Sequence, residues 1–600
     1  MNIPFITSHI TMQNLINCYV KETGRGEWKH PDDIPVQVQI PDVPYVLVLS
    51  FGQQSVTVYV PVQYKSPTGR HLYSSPIYYQ LRDGEMEELD YVTLALLIQK
   101  ECRLESDKPI HSDELILRIL LSYQNMKTIL TERKEDIEEC YQKEKTYLQS
   151  EQSLIVGHQL HPTPKSRQGI DEDEEHIFAP ERKGAFQLHY FRIVNELVEE
   201  DSVLAKKAST LIKEELLYDP LVSKAFKEKY CQKDGFSLIP VHPLQARKLL
   251  GNEYVCDLIQ SGKMAYLGPH GRKYYPTSSV RTVYHPEAKF MYKFSIPVKI
   301  TNSLRINKRK ELHRGVEVSR LLHGEIREQL QEQHPSFRII EDPAYISLKS
   351  DSYETGFEVV IRDNPFQEGN ELRTTLLAAL CQDHITGGRS HLTNIILDIA
   401  HREGTSVAEV SEEWFARYLE ISLRPLYWLY ETYGIALEAH QQNSIVKLDE
   451  EGYPSTFYYR DNQGYYFMRS KAEALKELVG TLNEKSDTVC DDAIAKERFC
   501  YYVLFNHLFG LINAFGVNRL IDENRLLIMV KEELNQLKAQ LGDRTNLIES
   551  LLTERELPSK GNLLTRVHDM DELVGSLASQ SVYVRVPNPI VAAVGEWHEV

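Results

Sequence analysis

The chain has 600 residues, of which 42% are hydrophobic and 26% charged, and it carries a formal net charge of −18 at pH 7. That length exceeds one ordinary core and implies roughly three or four domains or subdomains of a globular protein. The acidic balance excludes general nucleic-acid binding, which selects for a basic surface.

The opening twenty residues lack a basic n-region and a sustained apolar core, so neither a signal peptide nor a membrane anchor is expected. The longest apolar runs, such as Val92 to Ile98, fall short of a membrane span. Cysteines at 18, 102, 140, 231, 256, 381, 490 and 500 form no CxxC pair. That usage points to reduced thiols, a cytoplasmic location and no structural zinc.

Residues 8–24 read as an amphipathic helix ending near Gly24 and Gly26. Tyr45 to Phe51 is an apolar run of strand length, and Val56 to Val62 alternates with period two. Ser112 is placed to cap a long helical pattern, with Asp113 and Glu114 in its first turn. The pattern continues through Leu115, Ile119, Met126, Ile129, Ile137 and Tyr141 to about Gln152. A first domain is expected at 1–145, a small sheet with helices and little obvious chemistry.

A second domain is expected at 146–345. Its start, Gly157 to Gly169, holds two prolines and two glycines and reads as a shaped loop. The charge of His158, His161, Lys165 and Arg167 suits an anion, although an exposed polar turn explains it equally. Pro162 and Pro164 oppose a helical metal site on the two histidines. Asp171 to Glu175 is most simply a solvated acidic loop, with a polycation as the other candidate partner. His242, between a strand end and Pro243, is a catalytic candidate, but capping or packing is the commoner role.

The centre of this region is Arg272 to Arg314, where eleven Lys or Arg stand against Glu287 and Glu311. Two strand-like runs, Lys293 to Ile296 and Val298 to Thr301, carry hydroxyls and cations among apolar residues. Strand-borne Ser279, Arg281, Thr282, Lys293, Thr301 and Arg305 are suited to fixing phosphate or carboxylate oxygens. Lys308 to Lys310 read as an ordinary basic face. Residues 315–335 look helical, and Gly356 to Pro365 looks like a strand whose Arg362 is a modest anion contact.

Residues 346–600 form a mostly helical third domain. One helix begins at Ser411, and another begins at Pro425 and carries Glu438, His440 and Asn443 at its end. Ser444 to Leu448 and Ser455 to Tyr459 pair as a hairpin that returns Asp461 towards them. Carboxylates with an Asn amide are hard oxygen ligands of the kind that hold Mg²⁺ on a nucleoside triphosphate. Leu557 to Arg566 supplies further cations, Lys560 and Arg566, or is simply a helix start.

Taken together, GHxxHPxxKxRxG, IPVHPLQ, SSxRTxxH with KxSxPVKxTNxxR, and EAHQQN followed by RDNQG resemble the IucA/IucC family of NRPS-independent siderophore synthetases. The resemblance runs from about residue 150 to the C-terminus. HPTPKSRQGI, QLHYFR and RDNQGYYF are most similar to the petrobactin-pathway branch, which joins citrate to spermidine.

The resemblance implies an α+β, cupped-hand architecture with thumb, fingers and palm regions, commonly dimeric. It implies an ATP-dependent ligase that adenylates a citrate carboxylate and passes it to an amine, releasing AMP and pyrophosphate. Carried over by motif, Ser279, Arg281, Lys293 and Arg305 contact ATP phosphates, with His161, Thr163 and Lys165 closing over the nucleotide. Thr282, Thr301, Arg305 and His440 hold citrate, joined by Arg362, Lys560 and Arg566. Glu438 and Asp461 bind Mg²⁺, and Asn443 contacts nucleotide or metal. Arg281, Arg305 and His440 are the expected catalytic groups.

Two other readings are open from the residues. The HQQN–hairpin–RDNQG layout resembles a phosphotransferase, which would release ADP, but no glycine-rich phosphate loop precedes a Lys strand. A non-catalytic citrate or siderophore binder would bind ligand without turning over ATP.

Overall fold

A computed structural model describes residues 1–34, 41–82, 84–106, 113–301, 303–350, 353–461, 463–570 and 581–593. The first helix runs Ile3–Thr23, starting earlier than its apolar pattern suggests and stopping where Gly24 turns left-handed at φ 67°. Strands fall where alternation places them, at Tyr45–Phe51 and Val56–Tyr64, paired antiparallel in a six-stranded sheet. The first helix and the helix Tyr91–Glu105 cover this sheet, and their apolar faces share one core.

The long helix expected from 112 to 152 is divided. Ser112 lies outside the described residues, and the helix Glu114–Glu132 ends at Arg133. Buried Arg133 donates to the carbonyls of Gln152 (3.1 Å) and Glu181 (2.7 Å), so the chain turns around its guanidinium. A new helix, Tyr147–Gln152, then starts from a Thr146–Gln149 capping box.

The middle of the chain is an eight-stranded antiparallel sheet. Its order is Phe236–Val241, Phe186–Val194, Met264–Pro276, Thr282–Tyr284, Phe290–Phe294, Val359–Asp363, Ala344–Leu348 and Val198–Ser202. Thr282 stands opposite Lys293, and Met291 opposite Arg362, so part of the basic Arg272–Arg314 stretch becomes neighbouring strands of this sheet. The expected strand from Lys293 ends at Phe294, and Lys299–Ile300 joins a separate three-stranded sheet. Ser279, Arg281, Thr301 and Arg305 lie on turns or loop and not on strands as expected. The short strand Lys299–Ile300 pairs with Arg167–Gln168, which ties the 157–169 loop to the same island. Gly169 makes that approach possible: a Cβ there would meet the Pro297 carbonyl oxygen at 2.5 Å.

The C-terminal third is largely helical and holds the largest apolar core. The helix around Trp414 starts at Val407, four residues before Ser411, because Ser406 and Glu409 form its capping box. The helix through Pro425 stops at left-handed Gly434, and a short strand Ile435–Leu437 follows. Glu438 to Asn443 therefore leave a strand and not a helix end. The hairpin of Ser444–Leu448 with Pro454–Arg460 forms as expected. One helical run, Asp492–Val517, is long and apolar enough by composition to cross a membrane, contrary to the expectation that every apolar run falls short. Its apolar window is 89% buried inside the protein, where it serves as a core helix.

Candidate functional site

A cavity of about 260 Å³ lies where the central sheet, the 157–169 loop, the 438–443 turn and the C-terminal helices meet. Of the sixteen residues given roles through the resemblance, fourteen line it: His161, Lys165, Ser279, Arg281, Thr282, Lys293, Thr301, Arg305, Arg362, Glu438, His440, Asn443, Asp461 and Lys560; the loop residues His158 and Arg167 line it too. Thr163 and Arg566 do not. Thr163 is fully buried behind the loop, and Arg566 is buried with its Nη1 3.9 Å from Asp569.

The floor is the turn from Thr277 to Thr282. Thr277 N–H donates to the Thr282 carbonyl at 2.8 Å, and Thr282 N–H donates to Ser279 Oγ at 3.1 Å. Fully buried Val280 holds φ 66° at the tip, an unfavourable backbone for a β-branched residue. This strained turn presents Ser279 and Arg281 to the cavity. Arg281 is buried, donates to Asn307 Oδ1 at 2.9 Å, and is drawn down to about 10 by burial, so it remains a cation at neutral pH.

Behind the turn sits a buried charge cluster. Lys293 Nζ donates to Asp461 Oδ1 at 2.9 Å, and Arg362 holds Asp342 through two bonds of 2.7 and 2.9 Å. Arg362 also stands 3.9 Å from Asp461. Burial alone would raise the Asp461 carboxyl, but Lys293, Arg362 and Arg281 hold it well below the usual carboxylate range. Burial brings Lys293 down to about 8, still protonated at pH 7. Arg305 reaches back to the Ile300 carbonyl (3.1 Å) and Thr301 Oγ1 (3.2 Å), fixing the left-handed Thr301 turn at φ 50°.

The opposite wall is the 438–443 turn. Asn443 Nδ2 donates to the Glu438 carbonyl at 3.1 Å, and Glu438 N–H donates to the Gly464 carbonyl at 2.8 Å. Gly464 has no room for a side chain, since a Cβ would lie 2.4 Å from the Glu438 Cβ. Burial, aided by the Asp461 charge, pushes Glu438 up to about 7, while Tyr466 donates to its Oε2 at 3.1 Å. Burial lowers His440 to about 4, leaving it neutral. Its Nδ1 accepts from the Gln442 N–H at 3.2 Å, which assigns the ring proton to Nε2, the atom 3.7 Å from Glu438.

The 157–169 loop is built differently from its sequence appearance. Lys165 and Arg167 are buried against the protein's own carboxylates. Lys165 Nζ donates to the Leu154 carbonyl (2.6 Å) and Glu181 (3.1 Å), and Arg167 donates to Glu181 (2.6 Å) and Glu175 (3.2 Å). The acidic run is divided likewise: Asp171 to Asp173 are exposed, Glu174 pairs with Arg247, and Glu175 is buried with Arg167. His158 and His161 each accept an N–H two residues on, from Leu160 and Thr163, which closes the turn. No group of three His, Cys, Asp or Glu is arranged to hold a metal among the described residues. His242 caps its helix, accepting from the Leu244 N–H at 3.2 Å in an apolar core.

Several lining residues escaped sequence reasoning. Tyr501, Tyr502 and Asn506 come from the core helix, whose π-helical stretch Cys500–Leu508 turns them towards the cavity. The signal available was a polar Asn506-His507 pair in an otherwise apolar run. Arg460 was also missed, although it stands beside Asp461 in the recognised RDNQG stretch.

Comparison with known proteins agrees with this architecture. Residues 146–382 match the IucA / IucC family, and residues 412–575 match the ferric iron reductase FhuF-like transporter family. The chain is 46% identical over 595 residues, 98% of both chains, to a spermidine-citrate ligase from Bacillus anthracis. It is 35% identical over 592 residues, 97% of both chains, to the rhizobactin siderophore biosynthesis protein RhbC of Rhizobium meliloti. The ATP-bound aerobactin synthetase IucA of Klebsiella pneumoniae superposes with a TM-score of 0.86 at 25% identity, over 97% of this chain and 99% of that one. The expected α+β synthetase fold is thus the observed one, and the chain belongs to the IucA/IucC family of siderophore synthetases.

Proposed function

We propose that this enzyme activates a carboxylate of citrate with ATP and joins it to an amine, spermidine being the best candidate, to give a citryl amide, AMP and pyrophosphate. The observation that carries this is the charge of the cavity. In a protein of net charge −18, Arg281, Lys293, Arg305, Arg362 and Lys560 converge on one space whose lining carboxylates, among the described residues, are Glu438 and Asp461, with Asp342 behind Arg362. Such a field suits two polyanions that otherwise repel. The relatives named as citrate ligases support the carboxylate, and the match to a spermidine-citrate ligase supports the amine.

In the first step a citrate carboxylate oxygen bonds to the α-phosphorus, and pyrophosphate leaves with the electrons of the broken P–O bond. Ser279, Arg281, Lys293 and Arg305 are placed to meet phosphate oxygens as charge builds there, and fixed cations need no reorganisation during the reaction. His161 faces the nucleotide from the loop. Thr163, buried within the loop, and Lys165, which lines the cavity but is tied to Glu181, would hold that loop in shape. Thr282, Thr301 and neutral His440, donating through Nε2, are placed for citrate oxygens, with Arg362 and Lys560 neutralising the remaining carboxylates. In the second step the amine nitrogen bonds to the acyl carbon, AMP leaves, and nitrogen loses a proton.

Glu438, Asp461 and the Asn443 amide fit a Mg²⁺ that arrives with the nucleotide. Mg²⁺ is commonly held by one or two protein carboxylates plus substrate phosphates, and Glu438, pushed up by burial and then by the Asp461 charge, would gain from a cation there, while Asp461 already rests on Lys293. When bound, Mg²⁺ would neutralise phosphate charge. From the family resemblance we further propose a cytoplasmic homodimer.

The test offers ATP, citrate and a panel of amines (spermidine, diaminopropionate, hydroxylated lysine) and identifies the amide by mass. Citrate-dependent AMP and pyrophosphate with a spermidine amide are expected. ADP release would overturn the ligase reading, and reaction with another amine alone would overturn spermidine.

A further inference from the structure

The N-terminal domain, whose sequence carries little obvious chemistry, braces the cavity wall at several points: Arg118 donates to the Thr301 carbonyl, Asn125 donates to the Lys165 carbonyl, and one carboxylate, Glu22, holds the turn that carries Lys560. Glu22 lies in the last turn of the first helix and is 8% exposed. It accepts the N–H of Leu563 and the N–H of Leu564, each at 2.8 Å, across more than 540 residues of sequence. These N–H groups open the helix Asn562–Val567, whose N-cap position is Gly561. Glycine has no side chain to accept them, and Glu22 supplies the missing cap. A Cβ on Gly561 would sit 3.0 Å from Glu22 Oε2, so the glycine leaves the space that the carboxylate fills. Leu563 and Val567 complete the union by packing in the N-terminal core.

The residues flanking this cap line the cavity. Lys560 ends the strand Glu556–Lys560, and Asn562 starts the helix. Asn562 Nδ2 donates to the Leu160 carbonyl (2.8 Å) and Tyr501 Oη (3.1 Å), joining the 157–169 loop to the core helix. The strand-to-helix turn that aims Lys560 is therefore pinned from two sides, by Asn562 within the site and by Glu22 from outside it.

We infer that Glu22 is a positioning residue: by capping the 562–567 helix across the domain boundary it sets Lys560 for a substrate carboxylate. This rests on the proposed ligase reading, in which Lys560 faces citrate. A purely structural cap would lower stability without selecting one substrate.

The experiment is a double-mutant cycle on citrate-dependent pyrophosphate exchange, with Glu22→Ala, Glu22→Gln and Lys560→Ala, each alone and with each Glu22 variant joined to Lys560→Ala. Glu22→Ala is expected to raise the citrate KM about tenfold while the ATP KM stays within about twofold. Glu22→Gln keeps one acceptor oxygen and should fall between. In the Lys560→Ala background the Glu22 substitutions should add little, since both act on one group. An unmoved citrate KM, or losses that multiply independently, would overturn the positioning role. If Glu22→Ala does not fold, the Glu22→Gln cycle decides between the same two outcomes. Wild-type protein without citrate-dependent exchange would instead overturn the ligase reading itself.

Discussion

Lys293 donates to Asp461 at 2.9 Å across 168 residues of sequence, joining the central sheet to the end of the C-terminal hairpin at the back of the cavity. Both side chains are largely buried, and Lys293 is the nearest of the cations that hold the Asp461 charge, with Arg362 standing 3.9 Å away. Breaking such a pair from one side leaves an uncompensated charge and costs about 3 kcal/mol or more. Lys293→Met should therefore lower stability by about that amount in denaturant melts and abolish citrate-dependent pyrophosphate exchange. The sign with pH follows from the depressed Asp461. Its contribution is present above the unfolded carboxylate value, near 4, and is lost as pH falls below that towards its folded value.

Arg460 leads to a second prediction. Its guanidinium donates to Tyr147 Oη (2.6 Å), Glu151, Ser278 Oγ (3.3 Å) and the Gln442 carbonyl (3.0 Å). Glu151 in turn accepts the Ser278 N–H at 2.7 Å. One side chain thus fastens the strained 277–282 turn to the 438–443 turn. Lysine carries the charge but not the planar fork. Arg460→Lys should fold with stability lower by roughly 2 kcal/mol and reduce exchange at least about tenfold, because the two walls lose their register.

How far the sequence carries the reader depends on how local each signal is. The strand Tyr45–Phe51 and the hairpin after Ser444 follow from patterns within a few residues, and the folded chain keeps both; the basic stretch keeps Thr282 and Lys293 on paired strands but puts Arg281 and Thr301 on turns. The long helix to Gln152 fails because a buried Arg133 bonds carbonyls 19 and 48 residues away. The loop cations Lys165 and Arg167 look available for an anion, but Glu181 and Glu175 meet them. Tyr501 reaches the cavity through a π-helical turn, and Glu22 by capping a helix at the other end of the chain. Each of these depends on a distant partner that no periodicity records.

The cavity's Glu438 leads to a pH prediction with two signs. A carboxyl raised to about 7 favours the protonated folded state. Stability therefore falls as pH rises from about 4.5 to about 7, and Glu438→Gln should stabilise the protein by roughly 1–2 kcal/mol at pH 8. Activity should run the other way. A protonated Glu438 binds no cation, so the Mg²⁺ concentration giving half-maximal exchange should fall as pH is raised from 6 to 7.5. Titrating Mg²⁺ at several pH values tests this. A half-maximal concentration independent of pH, or unchanged in Glu438→Gln, would remove Glu438 from the metal site.

The second half-reaction supplies the last prediction. An alkylamine of pKa about 10.4 is almost wholly protonated at pH 7, and reaching its nucleophilic form costs about 4.6 kcal/mol. Among the described residues the cavity offers no strong base to lift that cost: His440 lies near 4, and Glu438, near 7, faces Asp461. Cations such as Lys560 and Arg305 along the cavity further disfavour an ammonium and favour the neutral amine. Positioning against a reactive acyl group then carries the step. The value of kcat/KM for the amine should rise about tenfold per pH unit between 6.5 and 8.5, while citrate-dependent exchange stays nearly flat above pH 7.5. A plateau in the amine profile near pH 7 would show that a protein base takes the proton, and Glu438→Gln would then identify or exclude that carboxylate.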